Sequence, residues 1–180
     1  SILYKRQQIG QFVPADDDTS AVHYHALTER LSEAGYVHYE LSNFCKTGYE
    51  SRHNSSYWLG LNYLGLGPAA HSYNGKSRQW NKPHNTRYIY GIAEGIPDIE
   101  IDLLGEKERY NELIMTRLRT LRGLYRNELE GFRAEYFNAF SAKANRLIER
   151  GMVVHTDSGW RIPEVYWLIS DGIISELMVD

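Results

Sequence analysis

The chain has 180 residues, a formal net charge of −3, 42% hydrophobic and 24% charged residues, and a single cysteine. That length can bury about 70% of the unfolded surface, enough for one large domain or two small ones, and no run of about 18 apolar residues is present to span a bilayer. The acidic balance excludes a general pull toward nucleic acid, and the lone thiol of Cys45 excludes an internal disulfide, a self-contained thiolate-held iron–sulfur cluster and a Cys-rich zinc site.

The chain opens on Ser1-Ile2-Leu3-Tyr4 without a start methionine, which suggests a piece of a longer protein, and no basic start with an apolar signal core follows. A soluble, cytoplasmic protein is therefore expected. Over residues 16–34, Val22, Tyr24, Ala26, Leu27, Leu31 and Ala34 recur at helical steps, with Asp16 to Asp18 at the N-terminus and Gly35 at the end. Tyr36-Val37-His38-Tyr39-Glu40-Leu41 alternates bulky and polar groups and predicts a strand, so helix then strand reads as half of an α/β unit. Four glycines and Pro68 between Gly60 and Gly75 flank Tyr63-Leu64-Gly65-Leu66, which predicts a buried strand feeding a tight turn with close backbone approach. Asn74-Gly75 is a hairpin signal.

Gly91, Gly95 and Pro97 punctuate the chain, and a domain boundary is expected near Pro97. Beyond it, Tyr110, Leu113, Ile114, Leu118 and Leu121 form one helical face closed by Gly123. Asn127 with Glu130 fits a variant capping box for a short second helix, and Phe137, Phe140, Ala144, Leu147 and Ile148 form a third stripe ended by Gly151. Residues 152–155 and 160–162 read as a hairpin through Asp157-Ser158-Gly159, and Pro163 opens a closing helix. This order suggests a winged-helix-like module.

The densest chemistry lies in His53-Asn54-Ser55-Ser56-Tyr57-Trp58, where an imidazole, an amide and two large aromatics suit a flat unsaturated ligand. An aromatic corner stapling a loop accounts for the same cluster. In Gly65-Leu66-Gly67-Pro68-Ala69-Ala70-His71-Ser72 the glycines leave space and His71 adds polar reach, although the pattern is neither a P-loop nor a dinucleotide fingerprint. His53, His71 and His84 with Glu40 or Glu50 could form a hydrolytic metal site, but no short helical His pair supports it. Lys143, Arg146 and Arg150 share a helix face that would enter a DNA groove in a winged helix; Glu149, the acidic balance and the acidic hairpin tip favour a solvated face instead.

Taken together, Tyr39-Glu40-Leu41-Ser42-Asn43-Phe44, the His53–Trp58 cluster and the Gly65–Ser72 run resemble the radical SAM family of oxygen-independent coproporphyrinogen III oxidases and their haem-chaperone relatives. The likeness continues in Glu108-Arg109-Tyr110-Asn111-Glu112 and from Leu118 to Gly123. It implies a mixed α+β / α/β fold: the C-terminal end of a radical SAM partial (β/α) barrel with ligand-facing loops over residues 1–97, then a winged-helix-like helical domain over residues 98–180. It also implies a 4Fe-4S cluster and S-adenosylmethionine in the intact parent, held by a three-cysteine loop that would precede Ser1. No catalytic residue is assigned to this chain. The His-Asn-x-x-Tyr-Trp pattern of His53, Asn54, Tyr57 and Trp58 is typical of the haem-chaperone branch, so haem binding and delivery is the expected function. Oxidative decarboxylation of coproporphyrinogen III to protoporphyrinogen IX by the intact protein is the alternative, and a winged-helix DNA-binding module is the alternative of another class.

The resemblance gives His53 as an axial or propionate-facing ligand, Tyr57 and Trp58 as walls for the macrocycle, and His71 as a second polar contact. Carboxylates would be met by Arg52, Lys46 or the glycine-rich turn. Cys45 stands where a small residue is usual and reads as a small buried apolar residue. The expected partners are a tetrapyrrole, the missing N-terminal radical SAM part and a second copy across uncovered strand edges, with no nucleic acid.

Overall fold

The computed structural model describes all 180 residues as a mixed helical and stranded protein in which every strand pairing is antiparallel. A short helix α1 (Ile2–Gln8), not singled out in the sequence, precedes α2 (Asp17–Glu33). Asp16 caps α2 as expected, its Oδ1 accepting the Thr19 N–H at 2.7 Å. The half-buried stripe of Ala21, Tyr24, Thr28 and Leu31 lies inward, yet no residue of α2 is fully buried. No helix is long and apolar enough to cross a membrane.

The strand after α2 is β1 (Val37–Glu40), and it pairs with β2 (Asn43–Cys45), with Val37 opposite Cys45 and His38 opposite Phe44. The short link through Leu41 and Ser42 permits only an antiparallel return, so the α/β half-unit finds no parallel neighbour within this chain. The opposite edge of β1 is met at its end by the segment after the fifth helix: Leu41 N–H donates to the Arg119 carbonyl (3.1 Å) and Leu121 N–H to the Tyr39 carbonyl (3.0 Å).

After α3 (Arg52–Trp58) come β3 (His71–Tyr73), β4 (Ser77–Asn81), α4 (Asn85–Ala93) and β5 (Ile99–Leu103), with sheet order β3-β4-β5. The Asn74-Gly75 turn forms as expected: Asn74 Oδ1 accepts from the N–H groups of Lys76 and Ser77, and Gly75 has φ +82°. The buried strand expected at 63–66 does not form. Only Tyr63 bridges to Tyr73, and Leu64 and Leu66 are exposed, because the flanking glycines break the ladder. The close approach is present, since a Cβ on Gly65 would lie 2.1 Å from the His71 carbonyl oxygen. The last strand of this sheet, β5, follows Pro97 and pairs with β4 along its whole length.

The remaining elements are α5 (Glu106–Arg117), β6 (Leu124–Tyr125), α6 (Arg126–Leu129), α7 (Ala134–Glu149), β7 (Val154–His155), β8 (Gly159–Arg161), a 3₁₀ segment (Glu164–Ile169) and α8 (Ser170–Leu177). The three strands pair in the order β6-β8-β7. The capping box is set two residues earlier than Asn127 with Glu130: Tyr125 is the N-cap, and its N–H donates to Glu128 Oε2 at 2.9 Å. The apolar stripes of α5, α7 and α8 meet on one core in which Tyr110, Ile114, Leu118, Phe140, Ala144, Leu147 and Leu177 are fully buried. The core aromatics keep their polar ends paired: Tyr110 Oη donates to the Leu177 carbonyl and Trp167 Nε1 to the Ile162 carbonyl.

Candidate functional site

Four of the expected site residues, His53, Asn54, Tyr57 and Trp58, are gathered by α3. Ser51 starts the helix by accepting the Asn54 N–H on Oγ at 3.2 Å, and Gly60, at φ +64°, lies just past its end. His53 and Tyr57 are one turn apart on the same face, their rings edge-to-face at 5.0 Å, and both are exposed; Asn54 and Trp58 are half-buried. A seven-residue helix with no buried residue has little stability of its own. Its anchor is Arg117 on α5, buried at 9% exposure. The guanidinium donates to the carbonyls of Trp58 and Leu59, two of the acceptors left unpaired at a helix C-terminus, while Nε donates to Glu128 Oε1 at 2.6 Å.

Glu128 completes that anchor. Burial alone would raise its carboxyl pKa, but hydrogen bonds from Arg117, the Tyr125 N–H and Arg122 outweigh it and hold the group below the usual carboxylate value. One charged network thus fixes both the start of α6 and the end of α3. In the sequence, Arg117 reads only as a basic residue favourable in the last turn of its own helix. Its partners lie 58 and 59 positions away, which no local pattern discloses.

Trp58 separates two clefts. One, of about 400 Å³, runs along the open edge of β1 between Val37, Tyr39, Leu59 and Leu121. The other, of about 370 Å³, lies between α3, the β3–β4 hairpin and α5, with Tyr57, Tyr63, Tyr73 and Phe132 as aromatic walls. Trp58 Nε1 is buried without an acceptor. Tyr57 packs edge-to-face on Tyr63 at 4.7 Å, and Tyr63 reaches Tyr73 at 6.0 Å. Tyr63 and Tyr73 were not expected as site residues, and spacing could not reveal them, because a backbone bridge across the glycine-rich loop brings them together.

His71 is not gathered with the α3 residues. It is exposed on β3, stacked on Trp80 opposite it at 5.7 Å, and it shares a sheet face with Tyr73 and Arg78. The glycine-rich turn is committed internally: the Gly65 N–H donates to Ser72 Oγ, the Gly67 N–H to Tyr88 Oη, and Asn81 Nδ2 to the Gly67 carbonyl. Those two amides are therefore spent and do not serve as carboxylate donors. Lys46 is likewise engaged, capping α2 through the Ala34 carbonyl and lying over the Tyr36 ring. Arg52 is exposed at the start of α3. Cys45 is buried, and burial pushes its thiol pKa up, as fits a small packed residue.

No three histidine, cysteine or carboxylate side chains converge, and His84 caps α4 by accepting the Arg87 N–H. The basic face of α7 is partly consumed: Lys143 Nζ donates to the Met178 carbonyl and Arg150 pairs with Glu176 at 3.5 Å.

Residues 104–165 match the model of the HemN C-terminal domain. The chain is 37% identical over 123 residues to a haem chaperone HemW of Mycobacterium tuberculosis, covering 68% of this chain and 32% of that protein. It is 29% identical over 160 residues to HemW of Bacillus subtilis, covering 88% and 42%. It spans about a third to two-fifths of the length of these relatives. Among solved structures, the coproporphyrinogen III oxidase HemN of Escherichia coli, described as a radical SAM enzyme, superposes with a TM-score of 0.69 at 15% identity over 92% of this chain and 42% of that one, a likeness of fold. The matched domain and the related sequences together show that this chain carries a HemN C-terminal domain and is akin to part of the haem chaperones HemW, with the fold of the corresponding part of HemN.

Proposed function

We propose that this chain is the tetrapyrrole-facing part of a protein that binds haem and hands it on. The observation that carries the reading is α3: an exposed imidazole (His53), a phenol (Tyr57) and an indole (Trp58) on one helix whose end is fastened to α5 by Arg117. A neutral imidazole is a haem-iron ligand, and Tyr57 and Trp58 offer faces for a planar macrocycle. Asn54 and, from the neighbouring sheet, His71 are the further polar groups of this reading. The exposure of His53 and the openness of the flanking clefts suit a carrier that must release its cargo, and the names of the related proteins agree.

A 4Fe-4S cluster and S-adenosylmethionine belong, in this proposal, to an N-terminal radical SAM part. Cys45 is the sole thiol and is buried in the β1–β2 hairpin, so this chain's residues do not fit a cluster. Coproporphyrinogen decarboxylation would belong to that intact protein. The apolar side chains exposed along the first hundred residues support a cover there by the N-terminal part or by a second copy. We divide the chain into a ligand-facing portion (1–97) and a winged-helix-like portion (98–180), the latter supported by the order α5-β6-α6-α7-β7-β8. Its use of Lys143 and Arg150 to hold α8 argues against a DNA-reading role. The unpaired, buried Cys45 is in keeping with a cytoplasmic location.

Haem titrated into the chain is expected to give a shifted Soret band that weakens in His53→Ala, with the far-ultraviolet circular dichroism unchanged. Superimposable wild-type and variant Soret spectra would remove His53 from the site.

A further inference from the structure

The cleft on the α5 side of Trp58 has a chemical polarity that the α3 motif does not explain. Four rings run in succession from the exposed imidazole inward, His53 to Tyr57 (5.0 Å), Tyr57 to Tyr63 (4.7 Å) and Tyr63 to Tyr73 (6.0 Å). The series ends at two guanidiniums, Arg78 on β4 and Arg109 on α5, both lining the same cleft. Arg78 lies 5.8 Å from the Tyr73 ring and is paired with Glu112. Its Nε is buried with no acceptor. Arg109 makes one long hydrogen bond, from Nε to the Gly105 carbonyl at 3.4 Å, which leaves its terminal nitrogens free. Of the three guanidiniums that line the cleft, Arg117 is paired with Glu128 and Arg78 with Glu112, whereas Arg109 is exposed and has no carboxylate partner, so the Arg78–Arg109 end of the cleft carries an uncompensated positive charge beside aromatic walls.

We propose that this cleft is the carboxylate subsite for the ligand, with the Arg109 fork as the donor to an acid arm, Arg78 as the second cation, and Tyr63 and Tyr73 flanking the ring that bears the arm. The inference rests on the tetrapyrrole reading above and adds to it the end of the molecule that is gripped. Planar guanidinium pairs bidentately with a carboxylate and tolerates aromatic neighbours, a combination that an ammonium does not match. Glu112 holds Arg78 in place, so the incoming acid meets a pre-set cation. Tyr73 remains a neutral phenol and hydrogen-bond donor: burial raises its pKa first and Glu112 raises it further, against the smaller opposing pull of Arg78 and Arg109. The volume of about 370 Å³ is at the small end of the ~300–1,000 Å³ usual for ligand pockets. It therefore accommodates an edge with its acid arm, while the body of the macrocycle stays outside against His53 and Tyr57.

Haem and its dimethyl ester, which keeps the iron and the rings but has no free acid, separate this subsite from the site as a whole. The wild-type chain is expected to bind free haem roughly tenfold more tightly than the ester, the size of one charge-assisted pair. Arg109→Gln is expected to lose that preference by weakening free haem alone, with ester affinity and Soret position unchanged. Arg78→Lys, which keeps the charge but loses the fork, is expected to fall between the two, and its unchanged ester binding reports an intact fold. If the wild type binds acid and ester equally, or if Arg109→Gln binds both as the wild type does, the subsite is wrong and the tetrapyrrole reading survives. If the wild type binds neither, both fall together.

Discussion

The two regions of this chain solve the problem of burial differently. From residue 104 onward the protein carries its own core, with every member of the buried cluster between Tyr110 and Leu177. Before it, the only buried large or polar side chains are His38, Glu40, Cys45 and Asn81. All but three of the exposed large apolar side chains, Val165, Leu168 and Ile169, also lie before that point. The first region is therefore held by local hairpins, caps and a few long-range polar anchors, while the second is held by packing. A ligand-facing surface needs rigidity without a core of its own, and Arg117 shows how the second region lends it.

The sharpest way to break the contrast is to remove packing from one region and an equally apolar side chain from the other. Phe140, fully buried and edge-on to Trp160 at 4.8 Å, is expected to cost about 3–5 kcal/mol of unfolding free energy when replaced by Ala. Leu66→Ala, at 79% exposure, is expected to change it by less than about 0.5 kcal/mol. Urea unfolding followed by tryptophan fluorescence measures both, and similar losses in the two variants would show that the first region shares the core after all.

Next in size is the anchor between the regions. Arg117→Ala leaves the Trp58 and Leu59 carbonyls without their donor and Glu128 with one cation fewer, an expected loss of about 3 kcal/mol. Hydrogen exchange distinguishes an anchor from a general stabiliser: the α3 amides should lose protection before those of α7. Uniform loss across both helices would mean that α3 is held by something else.

What the sequence disclosed divides along the same line. The helices α2 and α7 are legible because an apolar stripe, an acidic first turn and a terminal glycine agree with one another, and Gly35 and Gly151 adopt positive φ just past them; α5 is legible by its stripe and first turn, but it ends at Arg117 with Leu118 as C-cap, short of the expected Leu121, and Gly123, also at positive φ, lies in the turn before β6. The His53–Trp58 cluster was legible as a density of unusual residues. The aromatic and cationic cleft beside it was not, because Tyr63, Tyr73, Arg78 and the α5 pair Arg109 and Arg117 come from four separate segments joined by tertiary pairing. The expected strand at 63–66 failed for a related reason: its apolar residues face solvent, so an apolar run there did not mean burial.

The smallest expected effect tests how the two regions meet. His38 on β1 is stacked on Phe44 at 3.9 Å and edge-on to Trp167 at 4.4 Å, so this imidazole is the join between the β1–β2 hairpin and the helical core. Its Nε2 lies 3.1 Å from the Leu41 carbonyl, while Nδ1 is buried without a partner. Burial lowers its pKa below the ordinary 6.5, against the raising influences of the Leu41 carbonyl, of Glu164 on the 3₁₀ segment and of Glu40 on β1; Tyr24 of α2 is the remaining titratable neighbour. Because the folded state binds the proton less readily than the unfolded one, the contribution is complete above pH 6.5 and is lost as the pH falls toward the depressed folded value. Glu128 adds acid sensitivity of the same sign, but only as the pH falls below its ordinary 4.5. The wild-type urea midpoint is therefore expected to fall between about pH 7.5 and about pH 5.5, and His38→Gln should flatten the decline in that window alone. An equal decline in the variant would mean that the join titrates through another group, and the two regions would then be coupled less directly than the His38–Trp167 packing implies.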